Sequence, residues 1–169
     1  ISTENYQMTV EGAGTVAFPS GTTWTAQTSS VSSILYGVTY GKGTFVTVGT
    51  GGKIFTSTDG TTWTMQNSGG NHLHGVTYGN GTFVTAGRNG TILTSSDGTT
   101  WTDRTNTNVT SNHLKGVTYG NGTFVIVGES GTILTSSDGT TWDNRTSGTS
   151  NGLSGVAYGN STFVTVGSS

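Results

Sequence analysis

The stretch His74-Gly-Val-Thr-Tyr-Gly-Asn-Gly-Thr-Phe-Val-Thr-Ala-Gly87, continued by Gly90-Thr-Ile-Leu-Thr-Ser-Ser-Asp-Gly-Thr-Thr-Trp101, decides the fold. Its phrase Tyr-Gly-x-Gly-Thr-Phe-Val begins copies at Tyr40, Tyr78 and Tyr119, and Tyr158 opens a fourth with Ser161 in place of the second glycine. A period of about forty residues marks a repeat architecture, in which each unit buries its apolar face against the next.

Working outward from that stretch, four short strands are expected in one unit: 73–78, 82–86, 91–95 and 100 to about 105. Strand formers (Val, Ile, Thr, Phe, Tyr, Trp) fill them, and Gly, Asn and Asp fill the connections Gly79-Asn80, Gly87-Arg-Asn-Gly90 and Asp97-Gly98. Neighbouring apolar residues such as Phe83-Val84, Ile92-Leu93 and Phe124-Val125-Ile126-Val127 put apolar side chains on both faces of a sheet, because neighbours in a strand point oppositely. A sheet apolar on both faces must be sandwiched, and four-stranded blades stacked radially achieve this. The expected fold is therefore an all-β propeller. An open β-solenoid is the runner-up, disfavoured because its coils are usually shorter, roughly 20–30 residues.

Three turns carry a family resemblance: Ser57-Thr-Asp59-Gly-Thr-Thr-Trp63, Ser95-Ser-Asp97-Gly-Thr-Thr-Trp101 and Ser136-Ser-Asp138-Gly-Thr-Thr-Trp142. They resemble the Asp-box, or bacterial-neuraminidase-type, repeat Ser-x-Asp-x-Gly-x-Thr-Trp, shortened by one residue between Asp and Trp. The resemblance covers the chain from about Val10 onward. It implies that Asp59, Asp97 and Asp138 hold backbone N–H groups of the hairpin, while Trp63, Trp101 and Trp142 wedge into the core. A first copy keeps Trp24 but has Ser20 where Asp is expected, after Pro19, so a looser turn is expected there. If Trp101 is core, its replacement by Ala should cost about 3–5 kcal/mol.

Blade counting predicts four blades. Three complete units start at Ile34, Leu73 and Leu114. The chain ends on a first strand (153–158) and a second (162–166), which would join N-terminal third (15–18) and fourth (23–28) strands in one composite blade. Such closure removes sheet edges. Residues 7–12 read as a weak second strand that the C-terminus already supplies. Hence 1–11 forms an extra strand or arm beside a single propeller domain, 12–169. That arm lies elsewhere on the domain, pairs with a neighbouring molecule by strand addition, or marks an excerpt of a longer array.

Glycine, serine and threonine make up more than half of the 169 residues, against six basic and eight acidic ones and a formal net charge of -2. No basic field exists for a phosphate backbone, which argues against nucleic acid as a partner. There is no cysteine, hence no disulfide framework or thiol chemistry, and no apolar run of the roughly 18 residues that membrane insertion needs. The Thr-rich, Lys-poor composition suggests an extracellular or cell-surface setting. Asn-x-Thr triplets start at Asn80, Asn89, Asn108, Asn121, Asn144 and Asn160; they are glycan acceptor motifs, although Asn-Gly is also the preferred hairpin turn.

From each repeat's glycine to its tryptophan the spacing is 26 in all three copies: Gly37 to Trp63, Gly75 to Trp101, Gly116 to Trp142. From tryptophan to the next glycine it varies between 12 (Trp63 to Gly75) and 15 (Trp101 to Gly116). Length variation thus falls in the fourth-to-first-strand connections, where repeat proteins place recognition. These loops are expected to share a face with the second-to-third-strand loops, opposite the Asp turns. The candidate binding face carries His72, His74, Arg88, Arg104, His113, Glu129, Arg145 and Asn151.

An enzyme is not expected. Sialidases of the resembled family use an arginine cluster, a Tyr/Glu nucleophile and an acidic proton donor. Here Arg88, Arg104 and Arg145 are the only arginines, and no carboxylate pair stands out for glycoside chemistry. A metal held by His72, His74 and His113 lacks cysteine support, so neither metal nor cofactor is expected. Two readings remain. One is a structural or adhesive module that associates with itself or neighbouring surface proteins, through residues 1–11. The other is a lectin binding glycans on the variable loops, where repeated residues such as Asn71 and Asn112 favour it and the lack of Trp or Phe platforms does not.

Overall fold

The computed structural model describes residues 14–17, 25–28, 33–67 and 69–168. Three four-stranded antiparallel sheets follow one another along the chain. They are preceded by a two-stranded sheet of β1 (Gly14–Ala17) and β2 (Thr25–Thr28). Blade 1 comprises β3 (Leu35–Gly41), β4 (Thr44–Gly49), β5 (Lys53–Ser57) and β6 (Thr64–Asn67). Blade 2 comprises β7 (Leu73–Gly79), β8 (Thr82–Gly87), β9 (Ile92–Ser95) and β10 (Thr102–Asp103). Blade 3 comprises β11 (Leu114–Gly120), β12 (Thr123–Gly128), β13 (Ile133–Ser136) and β14 (Asp143–Arg145). The C-terminal sheet pairs β15 (Leu153–Gly159) with β16 (Thr162–Gly167).

This is the four-blade β-propeller architecture expected, with three blades complete and the strands of a fourth shared between the two ends. The halves of that blade are formed from the strands foreseen. Among the described residues each stands as its own two-stranded sheet, with no ladder between β16 and β1. Residues 1–11, including the weak strand expected at 7–12, lie outside the described residues.

Packing between blades explains the doubled apolar residues. Val46, Val48 and Ile54 of blade 1 meet Leu73, Val76, Phe83 and Leu93 of blade 2. Val84, Ala86 and Ile92 of blade 2 meet Leu114, Phe124, Ile126 and Leu134 of blade 3. Val125 and Val127 pack with Leu153, Val156 and Phe163 of the last sheet. So Phe83 faces one neighbour and Val84 the other, and each fully buried side chain contributes roughly 1.5–3 kcal/mol.

Each first strand enters its blade through a register shift, at Leu35/Gly37, Leu73/Gly75, Leu114/Gly116 and Leu153/Gly155. The threonine hydroxyl across the sheet donates to the bulge-glycine carbonyl from Thr47, Thr85 and Thr165, at 2.8, 2.8 and 2.9 Å. That bond lets Thr85 be fully buried without an orphaned hydroxyl.

The hairpin turn after the first strand sits one residue later than expected. Asn80 and Gly81 both take positive φ, 47° and 76°, as do Asn121 and Gly122 at 46° and 75°, the geometry of a two-residue type I′ turn. Gly79 is instead the last strand residue, and its absent side chain makes room for a ring. A Cβ built on Gly79 would lie 2.1 Å from Cγ of Tyr119. Gly41 meets Tyr78, and Gly120 meets Tyr158, in the same way. The fourth strand of blade 2 is also shorter than expected, β10 holding two residues, because Asp103 accepts from the Thr105 amide at 2.7 Å and turns the chain outward.

Candidate functional site

The Asp turns form one face of the stack. In blade 2, Asp97 Oδ1 accepts from the Thr99 and Thr100 amides at 2.8 and 2.9 Å, and Ser95 Oγ donates to the same oxygen at 2.9 Å. Ser95 Oγ in turn accepts from the Gly98 amide at 2.8 Å. Trp101 closes the turn by donating from Nε1 to the Gly98 carbonyl at 2.9 Å. Blades 1 and 3 repeat this with Ser57, Asp59 and Trp63, and with Ser136, Asp138 and Trp142. Gly98, φ +80°, lies against Val46 and Phe83, and Gly139 lies against Val84 and Phe124. The turns of blades 2 and 3 therefore dock on the preceding blade.

Hydrogen bonds donated by the turn hold all three aspartates well below the usual carboxylate range. For Asp59 and Asp97 the backbone N–H of Thr62 and Thr100 leads; for Asp138 the Thr140 hydroxyl leads, followed by amides. A carboxylate more acidic in the folded than in the unfolded chain binds fewer protons when folded, so stability rises with pH between the two pKa values. Its contribution is complete above the unfolded value of about 3.9 and is lost as pH falls towards the folded one. Asp97→Asn is expected to narrow its stability gap to the parent protein between pH 7 and pH 3, measured as the urea midpoint. A gap constant with pH would contradict the amide cage.

On the opposite face, the variable connections and the second-to-third-strand turns interlock, as the spacing analysis expects. The Arg88 amide donates to His72 O and the Gly90 amide to Asn112 O, both at 2.9 Å; the Gly131 amide donates to Asn151 O at 2.8 Å. Equivalent side chains lace each blade internally: Asn71 Nδ2 to Thr91 Oγ1 and Asn112 Nδ2 to Thr132 Oγ1, both 2.9 Å, with Lys53 Nζ to Ser33 Oγ at 2.8 Å in blade 1. The repeated asparagines are thus engaged inside the protein.

Besides Asn151, whose carbonyl takes the Gly131 amide, the candidate residues divide into three groups. Arg104 and Arg145 use Nε to reach Thr94 and Thr135 hydroxyls at 3.2 and 2.8 Å, and Arg145 also pairs with Asp143 at 3.0 Å. Glu129 pairs with Lys115 at 3.2 Å. His72, His74, Arg88 and His113 form a basic cluster around blades 2 and 3. His74 lies within β7 with its ring 5.0 Å from that of Tyr36; burial first, then Arg88, His72, His113 and Lys115, push its pKa down. His113 Nδ1 accepts from the Asn89 amide at 3.1 Å, and His72 Nδ1 is buried without a partner among the described residues. Among those residues no three His, Cys, Asp or Glu side chains come together as a metal site. No helix among them is long and apolar enough to cross a membrane.

Among the described residues, two surfaces stand open. One is a shallow polar groove of about 860 Å3 between the 107–112 loop, the Ser130 turn and the 144–150 connection, with Asn112 and Arg145 on its walls. The other is the pair of blade faces at the ends of the stack, away from the loops. On β3, Ile34 (just before the strand), Val38 and Tyr40 are 62, 63 and 57% exposed; on β16, Val164 and Val166 are 58 and 64% exposed. Their counterparts Val76, Val84 and Ala86 in blade 2 are buried. The signal for this in the sequence is the repeat itself, since an array of stacked units has two uncovered faces unless something covers them.

No family model and no curated protein matches the chain. Among solved structures, it is similar to YCF48 from Cyanidioschyzon merolae, with a TM-score of 0.64 at 18% identity over 80% of this chain and 50% of that one. A structure of YCF48 bound to D1 peptide matches with a TM-score of 0.59. The computationally designed Ika4 protein matches with a TM-score of 0.60 at 12% identity, covering 80% of this chain and 86% of that one. At these identities the likeness is one of fold. The chain spans about half the length of the YCF48 chains.

Proposed function

We propose that the chain is a non-enzymatic extracellular structural or adhesive module that works by protein–protein association through the ends of its blade stack. The carrying observation is the pair of apolar strand faces left open on β3 and β16. Contiguous exposed apolar surface on a soluble protein marks an interaction site, and the low net charge puts up little repulsion against association. A propeller of the same fold is known with a peptide bound, which supports a protein partner here. The Ser-x-Asp-Gly-Thr-Thr-Trp turns fit an Asp-box variant whose role is structural, since the carboxylates are spent on turn amides. The non-enzymatic reading is supported by the arginines: Arg104 and Arg145 are tied to threonine hydroxyls rather than gathered for a substrate carboxylate. Threonine richness and six Asn-x-Thr triplets favour an extracellular setting.

Light scattering of the purified chain, with negative-stain images, tests this reading. Assemblies of two or more copies, or stable capture of a protein partner that covers β3 or β16, are expected. A monomer whose end faces bind no protein would refute it. The polar groove beside Arg145 carries the second reading, a glycan lectin. A glycan array hit lost on Arg145→Ala would favour it.

A further inference from the structure

We infer that the partner at the open ends is a second copy of the same chain, joined head to tail with Tyr40 of one copy seated on Gly159 of the next. This rests on the associative reading above and names its contact. Inside the chain one contact repeats three times. The tyrosine near the end of a first strand lies flat on the glycine that ends the first strand of the preceding blade: Tyr78 on Gly41, Tyr119 on Gly79, Tyr158 on Gly120. In each case a built Cβ would fall 2.1 Å from Cγ of the ring, so the fit admits glycine and nothing larger. The series has two unsatisfied members. Tyr40 is the same tyrosine with no such glycine beneath it among the described residues, 57% exposed. Gly159 is the same glycine with no ring upon it, and a Cβ there would meet nothing within 4 Å.

The surroundings of the two positions continue the match. Val38, beside Tyr40, corresponds to Val76, Val117 and Val156, which pack against the preceding blade. Val164 and Val166 correspond to Val84 and Ala86, which receive the following one. The exposed face of β3 is therefore one half of an interface the protein already makes three times, and the β16 side is the other half. A second copy brings them together without new chemistry. Head-to-tail contacts of this kind close into rings when the rotation allows and otherwise extend, so either outcome uses the same pair of residues.

The test is to compare the mass of the parent chain with that of Gly159→Leu across a concentration series. Gly159 lacks positive φ and has open space above it, so the variant should unfold at the parent's urea midpoint when dilute. Its association should weaken roughly tenfold or more, as an overpacked contact commonly does. The chain has no cysteine, so mixing Tyr40→Cys with Gly159→Cys under oxidation gives a clean second readout. The built Cβ on Gly120 lies 2.7 Å from the Tyr158 Cβ, near enough for a disulfide after slight relaxation. A bonded pair holding one of each variant is expected, which no contact within one chain can produce. Association that survives Gly159→Leu and yields no mixed pair would overturn the inference and leave the associative reading standing. A parent chain that stays monomeric and binds no protein would remove both.

Discussion

Phe124→Ala is expected to lower the equilibrium stability by about 3–5 kcal/mol, the range for deleting a buried aromatic side chain. Phe124 is fully buried. It packs against Val84 and Ile92 of blade 2 and against Leu114 and Ile126 of its own blade. Its ring stands 4.6 Å from Tyr119 and 6.4 Å from Trp142, tilted in both cases, an arrangement that adds roughly 0.5–1.5 kcal/mol per aromatic pair beyond area. The residue ties the Tyr-Gly phrase to the Asp turn, so its loss loosens both ends of a blade. Trp142 is 7% exposed, whereas Trp63 and Trp101 are half-buried. Truncation of Trp101 should therefore cost less than the 3–5 kcal/mol expected for a fully buried tryptophan. Urea unfolding monitored by circular dichroism measures the Phe124 variant, and a loss below roughly 1 kcal/mol would contradict blade-on-blade packing.

Gly79→Ala is the second large effect, and it comes from adding one carbon. The new Cβ would sit 2.1 Å from Cγ and 2.3 Å from Cδ1 of Tyr119. The obstacle is the root of an aromatic ring anchored on β11, so relief requires the two blades to part. Overpacking of this kind costs about 1–3 kcal/mol and sometimes more. The upper part of that range is expected, because neither the strand nor the ring can yield alone. Gly159→Ala is the internal control: the same phrase, the same strand position and no neighbour within 4 Å. It should leave the dilute chain's urea midpoint within about 0.5 kcal/mol of the parent. Equal effects at the two glycines would show that backbone freedom, rather than ring packing, is what the position demands.

Much of the fold was legible because the repeat writes it several times. The doubled apolar residues required a sheet covered on both faces, and the blade interfaces are built from those pairs. The constant spacing from glycine to tryptophan marked a rigid blade, and the variable spacing marked the loops that now interlock with the Gly90 and Gly131 turns. Turn placement was harder to read. Tyr-Gly-Asn-Gly offers two glycines beside one asparagine, and only the cross-strand register shows that Gly81 turns while Gly79 packs. The charge and repetition of the candidate loop residues could be read from the sequence, but their partners could not. Lys115 for Glu129 and Thr94 for Arg104 come from other strands.

The sequence by itself determined the blade: its period, its strands and its Asp turns, because alternation and turn chemistry act over a few residues and recur in every copy. Only the tertiary structure decided what each repeated residue touches. Tyr78 and Tyr40 are the same letter in the same phrase, yet one lies on a glycine and the other faces solvent. Burial depends on which blade stands next door, and a local pattern carries no record of its neighbour across the stack.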